Sequence, residues 1–179
     1  IVTRLTKTVK HLVDAGDEVV VFCPEGCPEE YMGARLIGVP AMPLPLYPEL
    51  KLALPRPAVS DAIDAFQPDL IHVVNPAVLG LGGIWLAKNK GIPLVASYHT
   101  HLPKYLEHYG LGMLEPLLWE MLKAAHNQAL LNLCTSTAMV KELSDKGIQH
   151  TDLWQRGVDT ELFRPCLLYT SPSPRDLGK

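Results

Sequence analysis

The chain lacks an excess of charge of either sign. Its 179 residues hold 16 Lys and Arg against 19 Asp and Glu, a formal net charge of -3. That leaves no basic field of the kind that binds a phosphate backbone, so nucleic acid is not an expected partner. A long apolar run is also missing: no stretch approaches the ~18 to 20 residues that a bilayer span requires. No secretory signal is present either, but the sequence opens on Ile1 inside a helical pattern, so this says nothing about localisation. Cysteine is sparse. Cys23, Cys27, Cys134 and Cys166 show no Cys-x-x-Cys spacing and no nearby His couplet, so neither a zinc site nor a disulfide framework is expected, and all four are read as reduced structural thiols. Nor is there a G-x-G-x-x-G fingerprint: Gly80-Leu-Gly82 is followed by Gly83, Ile84 and Trp85 inside a helical stretch.

What is there is ordinary globular material, 47% hydrophobic and 20% charged, enough for one domain with its own core and short of two. Val2, Leu5, Val9, Leu12 and Val13 recur at helical spacing up to Ala15-Gly16, where glycine suits a left-handed cap. Glu18 to Cys23 is a β-branched run closed by Pro24-Glu-Gly26 and reads as a strand buried on both faces, which implies parallel neighbours. From Tyr31 to Pro57 the prolines at 40, 43, 45, 48 and 55 remove backbone donors, so an irregular segment or edge strand is expected. Pro57 suits the first turn of a helix that ends near Gln67-Pro68.

Leu70 to Val74 is a further strand, Val78 to Asn89 a helix whose Gly80, Gly82 and Gly83 permit close approach to a sheet, and Ile92 to Tyr98 a strand. A helix begins beside Pro116 and carries Leu117, Leu118, Met121 and Leu122. Ala129 to Cys134 is a strand, followed by a helix N-capped by Ser136 and ended by Gly147, and Thr151 to Trp154 is a last strand. The apolar residues from Tyr105 to Leu118 are read as core rather than as a bilayer contact, because Lys104 and Lys123 are the only fixed cations near them. This alternation predicts an α/β fold, a Rossmann-like, doubly wound and mainly parallel sheet with right-handed crossovers. Such a fold normally opens with a strand and a glycine turn ahead of its first helix; neither precedes Val2, so the first strand is expected to be missing.

Open α/β sheets bind ligands outside the carboxyl ends of their strands. The residues there are Asn75-Pro76, His99-Thr100-His101, Thr135-Ser136 and Arg156 to Asp159. Two histidines one residue apart are a weak signal on their own and equally fit a polar loop. Glu107 and Glu115 have the spacing of the paired glutamates of retaining glycosyltransferases, but they lie across Gly110 and Gly112 in the wrong half of the chain and are read as accidental.

Four segments, Ala34-Arg-Leu-Ile-Gly38, Phe66-Gln-Pro-Asp-Leu-Ile-His72, Ala96-Ser-Tyr-His-Thr-His101 and Trp154-Gln-Arg-Gly-Val-Asp-Thr-Glu-Leu-Phe163, together resemble the sulfoquinovosyltransferases within the family-4 glycosyltransferases. The likeness covers roughly residues 1 to 165. It implies the incomplete N-terminal, acceptor-side half of a GT-B enzyme whose absent C-terminal domain clamps a nucleotide. The implied reaction is retaining transfer from a UDP-sugar donor, UDP-sulfoquinovose, to a lipid acceptor, diacylglycerol, in sulfolipid synthesis, with no cofactor and no metal. It also implies a peripheral membrane setting, the plastid membrane of a phototroph or the cytoplasmic membrane face of a bacterium. By this resemblance His99 hydrogen-bonds the transferring sugar, and Thr100, His101, Lys104 and Tyr105 face the acceptor. Arg156, Gly157 and Asp159, and with them Asn75, either wall the interdomain cleft or merely order a hinge.

Two alternatives to the lipid glycosyltransferase stay open besides a sister hexosyl- or mannosyltransferase of the same family. A Rossmann dehydrogenase would need a glycine-rich turn ahead of Val2, and a non-catalytic binding module would need no second domain. Residues 166 to 179, Cys-Leu-Leu-Tyr-Thr-Ser-Pro-Ser-Pro-Arg-Asp-Leu-Gly-Lys, have no periodicity and resemble translated adapter sequence, so a non-native, disordered tail is expected there.

Overall fold

The computed structural model describes residues 2–44, 47–74, 78–99, 101, 103, 110, 112–155, 157–158 and 160. Helix α1 (Val2–Asp14) leads into β1 (Val20–Pro24), β2 (Glu30–Tyr31) and β3 (Ala34–Val39), then a hairpin of β4 (Ala41–Leu44) and β5 (Tyr47–Ala53). There follow α2 (Pro57–Phe66), β6 (Ile71–Val73), α3 (Val78–Lys90), β7 (Leu94–Tyr98) and a 3-10 turn (Gly112–Leu114). The last elements are α4 (Glu115–His126), β8 (Leu131–Cys134), α5 (Thr137–Asp145) and β9 (Thr151–Leu153).

β6, β7, β8 and β9 form one sheet in that order, every pair parallel, so that each strand is joined to the next by a helix. β1 pairs with β3 in parallel, and β2 closes that sheet in antiparallel fashion. This is the expected α/β, Rossmann-like arrangement.

Local signals explain most element ends. Pro57 stands in the first turn of α2, where a missing N–H costs nothing, and Gln67 closes the helix in the left-handed conformation at φ 51°. Ser136 caps α5 by accepting a hydrogen bond from the Met139 amide at 3.2 Å. Gly82 and Gly83 are needed for close approach, though against different partners: a Cβ on Gly82 would lie 2.6 Å from Cβ of Pro55, and one on Gly83 would lie 3.3 Å from Val73 of the sheet.

The main core fills the space between the β6–β9 sheet and its helices. Val73, Leu94 and Ala96 pack with Ile84 and Ala87 of α3, and Tyr98 and Cys134 pack with Trp119 and Leu122 of α4 and Leu143 of α5. Leu122 and Leu143 are fully buried, each contributing about 1.5 to 3 kcal/mol of transfer free energy. A third cluster joins Val39, Ala53, Val59, Ile63 and Leu86 and ties α2 to the hairpin side.

Four expectations are corrected. The segment from Tyr31 to Pro57 is not irregular: Ala34–Val39 is free of proline and forms the middle strand of its sheet, stopping just before Pro40. Pro43 and Pro48 lie in a two-stranded hairpin, where each strand has an outer edge that needs no donor. β1 is only half-buried rather than buried on both faces. Cys23 and Cys27 are joined in a disulfide, because the turn at Gly26, with φ of 92°, folds the chain back until their Cα atoms are 6.7 Å apart. Cys134 keeps the expected buried thiol, pushed up to about 11 by burial and then by the nearby Asp152; Cys166 lies outside the described residues. Finally, core packing does not account for all the apolar residues up to Leu118: Met113, Leu114 and Leu117 are 94%, 46% and 69% exposed, while Trp119 and Leu122 carry the buried face of α4.

One buried polar network escaped the sequence reading. His126 and Asn132 are both fully buried. The His126 Nδ1–H donates to Asn132 Oδ1 at 2.7 Å, and the Asn132 amide donates to the carbonyls of His126 at 3.0 Å and Gln149 at 2.8 Å. The end of α4 is thereby stapled to β8 and to the connection before β9.

Candidate functional site

Strand alternation places the site. Leu94, Ala96 and Tyr98 of β7 enter the helix-covered core, so Ser97 turns to the other face of the sheet, and His99 follows it at the carboxyl end. Ser97 is fully buried, and its Oγ lies 2.8 Å from Nε2 of His72 on the neighbouring β6. Trp154 directly follows β9, its amide donating to the Cys134 carbonyl at 2.7 Å and so extending the ladder to the same edge. Its indole lies 5.6 Å from the His99 ring at an interplanar angle of 56° and 5.6 Å from the His72 ring at 49°. Arg4 of α1 completes the cluster. Its guanidinium carbon is 4.9 Å from the Trp154 ring centroid, and Nη1 donates to the Trp154 carbonyl at 3.3 Å.

His99 is the chemically distinctive member. Its Nε2 is shielded from solvent and has no hydrogen-bond partner among the described residues. Burial first, then the positive charge of Arg4, pushes its pKa down to about 4, so the ring is neutral at physiological pH and each nitrogen is a donor or an acceptor according to tautomer. Burial also lowers the pKa of His72, and of His126 in the core.

These shifts predict a pH dependence. A histidine whose folded pKa lies below its unfolded value takes up its proton more readily when unfolded, so stability is complete above pH ~6.5 and falls as pH drops towards 4. Thermal melting followed by circular dichroism is expected to show a decreasing Tm over that window, with a shallower decrease for His99→Asn. A Tm independent of pH there would contradict the neutral, buried assignment.

Of the predicted site residues, His99 and His101 are not brought together. His101 turns to the helix side, where its Nε2 lies 2.7 Å from Glu142 Oε1 and its ring meets Trp119 edge-on at 5.9 Å. Gly157 is exposed, with open space where a Cβ would stand. Asn75, Thr100, Lys104, Tyr105, Arg156 and Asp159 lie outside the described residues, as does Glu107. Glu115 accepts from the Trp119 indole at 3.1 Å.

Sequence reasoning missed Arg4, His72, Ser97 and Trp154. Two of them had left a signal: Trp154 stands at a strand's carboxyl end, and His72 interrupts an otherwise apolar strand. Among the described residues no group of three or more His, Cys, Asp or Glu is placed to hold a metal ion, and no helix is long and apolar enough to cross a membrane. A groove of about 490 Å³ at the start of α2, lined by Pro55, Arg56, Ser60 and Trp85, contains none of the predicted site residues.

A parallel sheet with helical crossovers and a half-buried imidazole at its carboxyl edge defines a Rossmann-like domain. The chain belongs to Glycosyltransferase Family 4, whose model matches residues 1–162. It is 38% identical over 167 residues to a sulfoquinovosyl transferase of Arabidopsis thaliana, an alignment covering 90% of this chain and 33% of that protein. It is 34% identical over 167 residues to a GDP-mannose-dependent alpha-mannosyltransferase of Mycobacterium tuberculosis, covering 90% of this chain and 44% of that one. An alpha-monoglucosyldiacylglycerol synthase of Streptococcus pneumoniae is 31% identical over 87 residues, 47% of this chain and 19% of the synthase. The chain thus spans between a third and a half of the length of the first two relatives.

Proposed function

We propose that this chain is the acceptor-side part of a retaining glycosyltransferase that moves sulfoquinovose from UDP-sulfoquinovose to diacylglycerol. The observation that carries this reading is the 38% identity with a sulfoquinovosyl transferase over 90% of the chain. The geometry that supports it is the neutral His99 at the carboxyl edge of β7.

In a front-face transfer positive charge develops on the sugar ring while the leaving phosphate accepts the proton of the incoming hydroxyl, so the protein has to position groups rather than supply a strong base. A neutral imidazole suits that task. It hydrogen-bonds a sugar hydroxyl without adding a positive charge beside a cationic ring. A diacylglycerol acceptor resides in a bilayer, and the exposed Met113, Leu114 and Leu117 would supply apolar contact at its surface. A second reading, mannosyl transfer from GDP-mannose, is favoured by the 34% and 31% identities with two mannosyltransferases.

Both readings are tested by giving the full-length protein UDP-sulfoquinovose, UDP-glucose and GDP-mannose in turn, with diacylglycerol in mixed micelles, and following products by mass spectrometry. Sulfoquinovosyl diacylglycerol is the expected product. A product from GDP-mannose alone would replace the first reading with the second, and no transfer from any donor would remove both.

A further inference from the structure

We propose that Trp154, held in place by Arg4, is the positioning residue for His99: its indole forms the wall that fixes the imidazole orientation and keeps water from it. The proposal rests on the reading that His99 meets the transferring sugar, but its geometric core stands without that reading.

Little else among the described residues holds the ring. His99 follows the last residue of β7, so the ladder does not fix it, and its Nε2 has no hydrogen-bond partner among the described residues. With no such bond at Nε2, packing takes a large part in orienting the imidazole. The packing partner is Trp154, with ring centroids 5.6 Å apart and tilted by 56°, within the range of favourable aromatic pairs.

Trp154 is better fixed than the ring it touches. Its amide extends the β8 ladder through the Cys134 carbonyl, its own carbonyl accepts from Arg4, and the Arg4 guanidinium lies over its ring at 4.9 Å. The cation over the indole and the bond to the carbonyl act on the same residue, so α1 and β9 are clamped together and the indole has little freedom to swing. His72 packs on the same indole and is held by Ser97. The charged and titratable groups that act on His99 are Arg4, the amino terminus and His72, and removing the indole opens the ring to water beside them. Alignment of a donor or acceptor to within a few tenths of an ångström is where such a wall affects turnover.

Two measurements test the proposal. The first needs only this chain: histidine-selective NMR, with His99→Ala to assign the resonance, gives the midpoint of the His99 titration. Wild type is expected near 4, Trp154→Phe close to wild type, and Trp154→Ala shifted by about one unit or more towards 6.5 as water reaches the ring. The second is a double-mutant cycle in the full-length protein. Trp154→Ala is expected to lower kcat about tenfold with the KM for nucleotide sugar changed less than about twofold, and to have no further effect when His99 is already alanine.

Arg4→Lys, which keeps the positive charge but gives up the planar guanidinium's hold on the indole and its carbonyl, should move both quantities in the same direction by less, and serves if Trp154→Ala fails to fold. An equal loss in both backgrounds, or a His99 titration unmoved by either substitution, would overturn the proposal. If His99→Ala leaves turnover intact, the sugar-contact reading fails, and the NMR titration still decides whether Trp154 holds the ring.

Discussion

Replacing His99 with alanine in the full-length protein is expected to lower kcat by roughly 10²-fold, equivalent to ~2.7 kcal/mol of transition-state stabilisation. The magnitude is that of one preorganised hydrogen bond removed from a site where charge develops. Stability should change by no more than about 1 kcal/mol, because no hydrogen bond of Nε2 to a described residue is lost with the side chain and what disappears is mainly one tilted contact with Trp154. Turnover and Tm must be read on one preparation. Normal kcat would remove His99 from the reaction, whereas a Tm lowered by more than ~10 °C would indicate that its role is structural.

The largest expected loss of stability comes from Asn132→Leu. The leucine has a similar volume but strands three groups, two of them in the core, the Nδ1–H and the carbonyl of His126, and one at its margin, the carbonyl of Gln149. Each buried unpaired group costs about 1 to 3 kcal/mol. The three share one network and do not add independently, so a net loss of about 3 kcal/mol is expected. For a domain of this size that lowers Tm by about 6 to 12 °C. Asn132→Asp should not recover it, since the oxygen that replaces the amide nitrogen faces the carbonyls of His126 and Gln149 and a buried carboxylate is costly. Chemical denaturation that shows less than ~1 kcal/mol for Asn132→Leu would mean that the network is not formed in solution.

These two residues also mark how far the sequence could be read. The position of His99 was legible because an apolar strand runs straight into polar residues, which puts the junction at the carboxyl edge; the role given to it there came only from the family resemblance. The elements around it were legible for equally local reasons: Ser136 as a cap, Pro57 and Pro116 in first turns, and Gly147 past the end of α5. Asn132 was not legible, since an asparagine inside an apolar strand carries no periodic signal and its partner His126 belongs to another element.

Proline counting misled for Tyr31 to Pro57, because it weighs a segment as a whole and does not notice that Ala34–Val39 contains none. The Cys23–Cys27 bridge was not legible because it depends on the turn at Gly26 closing the chain on itself, which cysteine spacing alone does not record. Arg4 and Trp154 are 150 residues apart. Only the fold brings α1 against the end of β9, and no local pattern in either segment records that contact. The divergence of His99 and His101 is likewise a property of the packing, set by Glu142 and Trp119 on the opposite side of the sheet.

The most direct test of the central claim, that the transferring sugar meets His99, is the response of the His99 imidazole resonances in the full-length protein to donor. Histidine-selective NMR with His99→Ala as the assignment control would compare intact nucleotide sugar with the nucleotide alone at the same saturation. A shift of the His99 resonances with the sugar nucleotide and none with the nucleotide alone is the predicted result; identical spectra with both ligands would contradict it.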